Sequence, residues 1–316
     1  MAQVERAQSG HRMPAAEVEV TPALLRGLLA EQHPDLADRP VSVLANGWDN
    51  VVFRVGGDLL ARLPRREMGA GLVGHEQRWL PVLAPRLPLP VPAPARTGRP
   101  GLGYPWPWSI VPYLPGQVAA ETPPADPAAA AVSLGGFLAA LHTPAPPDAP
   151  VNPSRGVPLA ERTDTVMQNL SMVADQVDGA AVRRMWAAAL AAPRWAEPPV
   201  WVHGDLHPAN ILVRRGRVSG VLDFGDLTAG DPAADLSVGW MLLPADCHPA
   251  FRASAGPSDT SWARATGWAL ALGLVYLAHS LTRRTTRSWP RWAAARSAPC
   301  SAKASAPRAR PSGRRR

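Results

Sequence analysis

The sequence predicts an α+β chain of two lobes, a small one built on antiparallel strands and a larger one built mainly of helices. Three observations predict this. Short apolar runs separated by Gly-containing turns crowd residues 41–63. Apolar residues recur at helical spacing over 126–192 and again over 258–281. Three more short apolar runs, Val200–Val202, Ile211–Val213 and Val218–Leu222, flank a polar loop. With 316 residues, 46% of them apolar, the chain is long enough for two lobes and a sizeable core.

Taken in order, residues 1–19 read as a disordered leader, in which Met13 is an alternative start. Thr21-Pro22 then offers an N-cap and a first-turn proline to a helix carrying Leu24, Leu25, Leu28 and Leu29, expected to end near His33-Pro34. Val41–Leu44 and Val51–Val55 read as strands joined by a loop that holds one glycine, Gly47. Leu59–Leu63 is a third strand after the turn Gly56-Gly57-Asp58. The Pro-rich run Pro85–Pro105 is expected to be extended and to wrap the edge of the small lobe. Trp108–Tyr113 reads as a strand leading into a linker at Leu114-Pro115-Gly116. Asp126-Pro127 opens a helix ending at His142-Thr143-Pro144, and helical patterns recur at Pro158–Val177 and Ala180–Ala192.

The chemistry concentrates in Trp201–Gly225, WVHGDLHPANILVRRGRVSGVLDFG. Asp205 and Asn210 fall on a loop between strands, and Asp223 ends the next strand. Phosphoryl transfer from a nucleotide needs a carboxylate to orient and deprotonate the attacking hydroxyl, and oxygen ligands that hold Mg²⁺ against the phosphates. An Asp, an Asn five residues later and an Asp-Phe-Gly thirteen residues further on supply these parts in the kinase order. A rival reading takes His203, Asp205 and His207 as a metal-hydrolase cluster, since two His and a carboxylate can hold Zn²⁺. It leaves Asn210 and the Asp-Phe-Gly unexplained.

With its HGDxHxxN loop, the chain resembles the aminoglycoside phosphotransferase family, the small-molecule branch of the protein-kinase-like fold. The resemblance covers roughly residues 20–282. It implies a bilobal fold with a nucleotide-binding N-lobe over 20–115 and a helical C-lobe with the catalytic loop over 116–282. It further implies transfer of the γ-phosphoryl group of ATP or GTP to a small-molecule hydroxyl, with Asp205 as catalytic carboxylate and Asn210 and Asp223 as Mg²⁺ ligands. The strand hairpin holding Gly47 would cover the phosphates. Arg62 would replace the usual third-strand Lys and pair with Glu76, for an Arg keeps the charge and offers a planar fork to phosphate oxygens. The adenine would sit against the Pro112 carbonyl and the Leu114 N–H. Acceptors in the family include aminoglycosides, macrolides and choline-like alcohols. Against these stand plainer readings: a simple hairpin, Arg62 and Glu76 as solvated charges, and a nucleotide-binding remnant without turnover. The 155–195 stretch is where acceptor selectivity is expected; its Glu161, Asp164 and Asp175 would suit a polycation, although any amphipathic helix carries such charges. Asp231, in the Gly-Asp-Pro that follows, is expected to cap a helix or brace the catalytic loop.

The net charge of +8 resembles a nucleic-acid signal until it is located. Eleven of 33 basic residues follow Thr282, where no acidic residue occurs, leaving 22 basic against 25 acidic residues before it. The body is mildly acidic, so no nucleic-acid partner is expected. Cys247 and Cys300 indicate neither a disulfide framework nor a Cys-based metal site. The N-terminus lacks an apolar signal core and the longest apolar stretch, Gly267–Ala278, is too short for a bilayer. No membrane partner and a cytoplasmic location are therefore expected. Residues 283–316 form a basic tail expected to be disordered. An alternative to a native basic tail is a frameshift: if Ser288 is encoded TCN, the frame starting on the last base of each codon across Arg287–Ala293 permits Val-Met-Ala-Ala-Leu-Gly, a helical text in which the first Ala and the Gly are forced by the single Trp codon.

Overall fold

Alternation of side chains across pleated strands decides what the small lobe buries and what it offers to a ligand. In the computed structural model, which describes residues 15–47 and 49–282, β1 (Val41–Asn46), β2 (Asn50–Val55), β3 (Leu59–Pro64), β4 (Arg96–Gly98) and β5 (Trp108–Pro112) form one antiparallel sheet in the order β1-β2-β3-β5-β4. One face packs Phe53, Val55, Ala61, Leu63 and Ile110 against Leu25, Leu28 and Leu29 of α1 (Pro22–Gln32). The Thr21 hydroxyl accepts from the Leu24 N–H at 3.1 Å to start that helix. The opposite face presents Val52, Leu60, Arg62 and Val111 to a cleft. The Pro-rich run does more than wrap the lobe: its centre is β4, an edge strand, the place in a sheet that tolerates neighbouring prolines.

α2 (Glu67–Leu83) links the lobes, facing the cleft with Val73 and Glu76 and the large-lobe core with Leu80 and Leu83. Of the expected leader, residues 15–19 are described: the Glu17 carboxylate accepts from the Glu67 N–H at 2.9 Å, at the start of α2. Residues 1–14 and the tail 283–316, with its frameshift reading, lie outside the described residues.

The large lobe has its own apolar core. It contains β6 (Gln117–Val118), α3 (Pro127–Leu141), α4 (Thr163–Met172), α5 (Gly179–Leu190), β7 (Val200–Val202), β8 (Ile211–Arg214), β9 (Arg217–Val221), β10 (Thr228–Gly230), α6 (Ala233–Leu236), α7 (Val238–Leu242), α8 (His248–Ala255) and α9 (Asp259–Thr282). Two small antiparallel sheets, β6-β8-β9 and β10-β7, frame the polar loop after β7. This is the bilobal α+β architecture that the sequence predicts. The helical pattern after Pro158 is shorter than expected, a 3₁₀ turn at Leu159–Arg162 followed by α4, which stops at Met172. Among the described residues no helix is long and apolar enough to cross a membrane.

α3 carries two adjacent glycines with opposite surroundings. A Cβ at Gly135 would lie 2.6 Å from the Ser254 Cβ and 2.7 Å from the Phe251 carbonyl oxygen of α8, whereas at Gly136 it would meet nothing within 4 Å. Helix propensity favours Ala over Gly by about 1 kcal/mol at both positions. Gly136→Ala is therefore expected to raise the urea-unfolding free energy by about 0.5–1 kcal/mol, and Gly135→Ala to lower it by about 1–3 kcal/mol through overpacking.

Candidate active site

The loop between β7 and β8 is fixed by its own backbone before any ligand is considered. Asp235 of α6, fully buried, accepts from the His203 N–H at 2.7 Å with one carboxylate oxygen and from the Gly204 N–H at 2.9 Å with the other. The oxygen that takes the His203 N–H also lies 3.2 Å from His142 Nε2. Gly204 has φ +85°, and a Cβ there would come within 2.5 Å of the Asp226 carbonyl oxygen, so glycine is required. The His203 ring closes the turn, with Nδ1 accepting from the Asp205 N–H at 3.2 Å and Nε2 donating to the Leu222 carbonyl at 2.9 Å. Both its ring nitrogens are thus engaged. Among the described residues no group of three or more His, Cys, Asp or Glu is arranged to hold a metal ion. The His203/Asp205/His207 hydrolase alternative thereby loses its geometric basis.

Asp205 is the most elaborately held side chain of the site. Its Oδ1 accepts from Arg155 Nη2 at 2.9 Å and from the Tyr276 hydroxyl at 3.4 Å, and its Oδ2 lies 3.3 Å from His207 Nε2. Burial alone would raise its pKa. The His207 hydrogen bond and the Arg155 charge outweigh that and hold the carboxyl below the usual carboxylate range. The Tyr276 hydroxyl is pushed up, by burial first and by Asp205 second, and stays a donor. Arg155 also approaches Asp226, with Nε 3.5 Å from Oδ2, and Asn152 donates to the other Asp226 oxygen at 2.7 Å.

The cleft between the lobes, about 470 Å³, collects Gly47, Arg62, Glu76, Pro112, Leu114, Asn210 and Asp223 in one lining. One Arg62 guanidinium nitrogen spans both Glu76 oxygens, at 2.8 and 2.9 Å, and the other lies 3.5 Å from Asp223. Burial disfavours the Arg62 charge, but Glu76 and Asp223 outweigh it. Gly47 sits in the β1–β2 hairpin, its N–H donating to the Asn50 carbonyl at 2.8 Å. Nearby Asp49 pairs with Arg66 at 3.2 Å; its carboxyl is pushed up by burial and then, against Arg66, by Asp223 and Asp226. In the strand that ends the cleft, the Tyr113 N–H is used by the Asp58 carbonyl at 2.8 Å, and Pro112 has no N–H to offer. Asn210 Nδ2 donates to the Asp205 carbonyl at 2.9 Å, which leaves its Oδ1 as the oxygen available to the cleft. Asp223 has φ +59°, a left-handed conformation uncommon outside glycine and typical of functional strain.

Asp205 itself is tied by hydrogen bonds to residues of two cavities, to the cleft through Asn210 and to a second one through Arg155, which lines it. The groups not anticipated from sequence are Arg155, Tyr276, Asp226, Asn152 and Asp235. Of these, Asp226 and Asp235 stand in the run after the Asp-Phe-Gly, where Asp231 was the expected brace. Of its two expected roles Asp231 takes the one at the helix start, accepting from the N–H of Ala233, the first residue of α6, at 3.0 Å, and it pairs with Arg264.

The sequence pattern of the phosphotransferase enzyme family matches residues 40–268. The chain belongs to that family. The resemblance carried by the catalytic loop is borne out, and this phosphotransferase is an enzyme of the small-molecule O-phosphotransferase class. Its fold is that of the GDP complex of wild-type aminoglycoside 2'-phosphotransferase-IIIa, at 21% identity and a TM-score of 0.62, over 87% of this chain and 95% of that one. Macrolide 2'-phosphotransferase MphH from Brachybacterium faecium is similar at 26% identity and a TM-score of 0.57, over 82% of this chain and 93% of that one. A streptomycin and ATP ternary complex of APH(2")-IIa is similar at 17% identity and a TM-score of 0.54, over 85% of this chain and 97% of that one. No curated protein matches the chain in sequence.

Removing the Asp235 carboxylate leaves two buried N–H groups unpaired, at about 1–3 kcal/mol each. Asp235→Ala is accordingly expected to cost about 2–5 kcal/mol in denaturant unfolding, and to lower turnover by loosening Asp205.

Proposed function

We propose that the chain transfers the γ-phosphoryl group of ATP or GTP to a hydroxyl of a small molecule. The observation that carries this is the set of bonds around Asp205, an ionised carboxylate whose backbone carbonyl is held by Asn210 of the cleft that carries the Arg62–Glu76 pair. Similar structures include GDP and ATP complexes, which supports a purine nucleotide donor. Pro112 offers only a carbonyl and Leu114 an N–H, the acceptor and donor that an adenine edge requires. Arg62, kept charged, faces the α/β-phosphates, and the hairpin with Gly47 lies over them. The Asn210 amide oxygen and the Asp223 carboxylate are hard oxygen donors on one cleft wall, the ligand type Mg²⁺ takes. Bound there, Mg²⁺ supplies charge neutralisation of the phosphates.

Asp205 then accepts the hydroxyl proton as the acceptor oxygen bonds to the γ-phosphorus and the bond to the β-bridging oxygen breaks, releasing the nucleoside diphosphate. An enzyme that draws on this donor belongs in the cytoplasm, with no nucleic acid or membrane as partner. Similar structures include aminoglycoside and macrolide phosphotransferases, so both kinds of acceptor are in view, besides other small metabolites. The competing idea, a remnant that binds nucleotide without turnover, predicts an intact fold and no acceptor-dependent release of diphosphate.

Asp205→Asn is expected to lower kcat by about 10²–10⁴-fold while leaving nucleotide affinity, measured by calorimetry, nearly unchanged. Unaltered turnover would remove Asp205 from the mechanism. Asp223→Ala should weaken Mg²⁺-nucleotide binding and activity together, and a dependence on Zn²⁺ abolished by His203→Ala would restore the hydrolase alternative.

A further inference from the structure

The donor cleft is short of positive charge. Among the described residues its wall carries one basic side chain, Arg62, against three acids, Asp49, Glu76 and Asp223. Arg62 is already paired with Glu76 and lies close to Asp223. A nucleoside triphosphate brings further negative charge to this wall, only part of which Mg²⁺ offsets. Asp49 matters most here, because it is the one charged residue of the hairpin turn Asn46-Gly47-Trp48-Asp49-Asn50, assigned to cover the phosphates. A bare carboxylate in that turn would repel them.

Arg66 answers that charge from outside the cleft. It is absent from the cleft wall, yet its Nη2 lies 3.2 Å from Asp49 Oδ1, with both side chains mostly buried. Burial pushes the Asp49 carboxyl up most, and Arg66 is the strongest of the groups that oppose it. Holding the hairpin in place does not require this pair. The Arg65 N–H donates to the Asp49 carbonyl at 2.8 Å, and Arg65 Nη1 donates to Asn46 Oδ1 at 2.8 Å and to the Gly47 carbonyl at 3.4 Å. The first turn of α2 packs against the same turn, where a Cβ on Gly69 would come within 3.0 Å of the Asp49 carbonyl oxygen. With the backbone fixed by these contacts, the Arg66 side chain is left with an electrostatic role.

We infer that Arg66 is a positioning residue for the nucleotide donor: by cancelling the Asp49 charge it keeps the phosphate-covering hairpin neutral, so that the triphosphate can lie beneath it against Arg62. This rests on the cleft being the donor site and adds to that site a group outside its wall. Arg66 acts through Asp49 rather than on the nucleotide. Donor affinity therefore depends on the net charge of the pair, not on the presence of either side chain.

The test measures, by calorimetry, the affinity of the full chain with Mg²⁺ for the mono-, di- and triphosphates of adenosine and guanosine. Arg66→Ala is expected to weaken triphosphate binding about tenfold, Asp49→Asn to tighten it about three- to tenfold, and the double variant to return to within about twofold of the parent. Arg66→Lys, which keeps the charge, should also stay near the parent. The Arg66→Ala loss should grow from mono- to triphosphate and shrink as NaCl is raised from about 0.05 to 0.5 M. A merely structural loosening of the hairpin would weaken all three nucleotides alike and ignore salt. A double variant as weak as Arg66→Ala overturns the inference. So does weaker triphosphate binding by Asp49→Asn, which would make Asp49 a direct nucleotide or metal ligand; should Arg66→Ala fail to fold, this second criterion decides alone. A parent chain that binds neither triphosphate removes the donor site itself and the inference with it, whereas a parent that binds one no better than Arg66→Ala does removes only the inference.

Discussion

Everything chemical in this protein hangs on one buried carboxylate that does no chemistry. Asp235 receives two consecutive N–H groups, from His203 and Gly204, and so ties the catalytic loop to the start of α6. Two backbone hydrogen bonds to one buried charged group resist rotation of the loop in either sense, because moving one bond strains the other. Gly204 makes the tight approach possible, and the His203 ring seals the turn against Leu222. The next residue is Asp205, which inherits its position from this clamp.

The second constraint is electrostatic. Asp49, Asp205, Asp223 and Asp226 influence one another, and the raised carboxyls of Asp49 and Asp226, caused first by burial, also register that mutual repulsion. Arg62, Arg66 and Arg155 oppose it from three directions. The balance is uneven by design of position. Asp205 alone is driven below its ordinary range, so its charge is present throughout neutral pH and contributes to stability above about pH 4. That contribution is lost as pH falls toward its lowered folded-state pKa. Asp223 keeps a more exposed carboxylate, in contact with Arg62 on one side only. A dication at the cleft would relieve the same repulsion that raises its neighbours.

Much of this was legible in sequence, for identifiable reasons. Strand alternation sends Arg62 to the cleft while Ala61 and Leu63 go to the core, so the Arg62–Glu76 pair follows from period two and one helical turn. The triad Asp205, Asn210 and Asp223 was legible because its members lie on one strand-loop-strand segment. Arg155 and Tyr276 were not, since they reach Asp205 across 50 and 71 residues from a loop and a long helix whose local patterns encode only turns and apolar packing. Asp235 was obscured by a neighbour of the same type: Asp231 stands first in the motif and reads as helix cap or brace, and it takes the helix start and Arg264 of α9, leaving the loop to Asp235. β10 escaped because Thr-Ala-Gly is too short and too small to mark a strand, and it exists only through pairing with β7.

The same geometry links the cleft and the second cavity through Asp205. Asn210 has one side-chain atom toward the base and one toward the cleft: its Nδ2 holds the Asp205 carbonyl and its Oδ1 remains for the donor cleft. Arg155 does the corresponding work on the other side, donating to the Asp205 carboxylate and lining the second cavity. Between them Asp205 is positioned from its backbone by the cleft side and from its carboxylate by the side of the second cavity. A change in either cavity therefore reaches the base through a single hydrogen bond, without any movement of the lobes. Substitutions at Asn210 and Arg155 should then be coupled rather than additive, because both act on the same residue through different atoms.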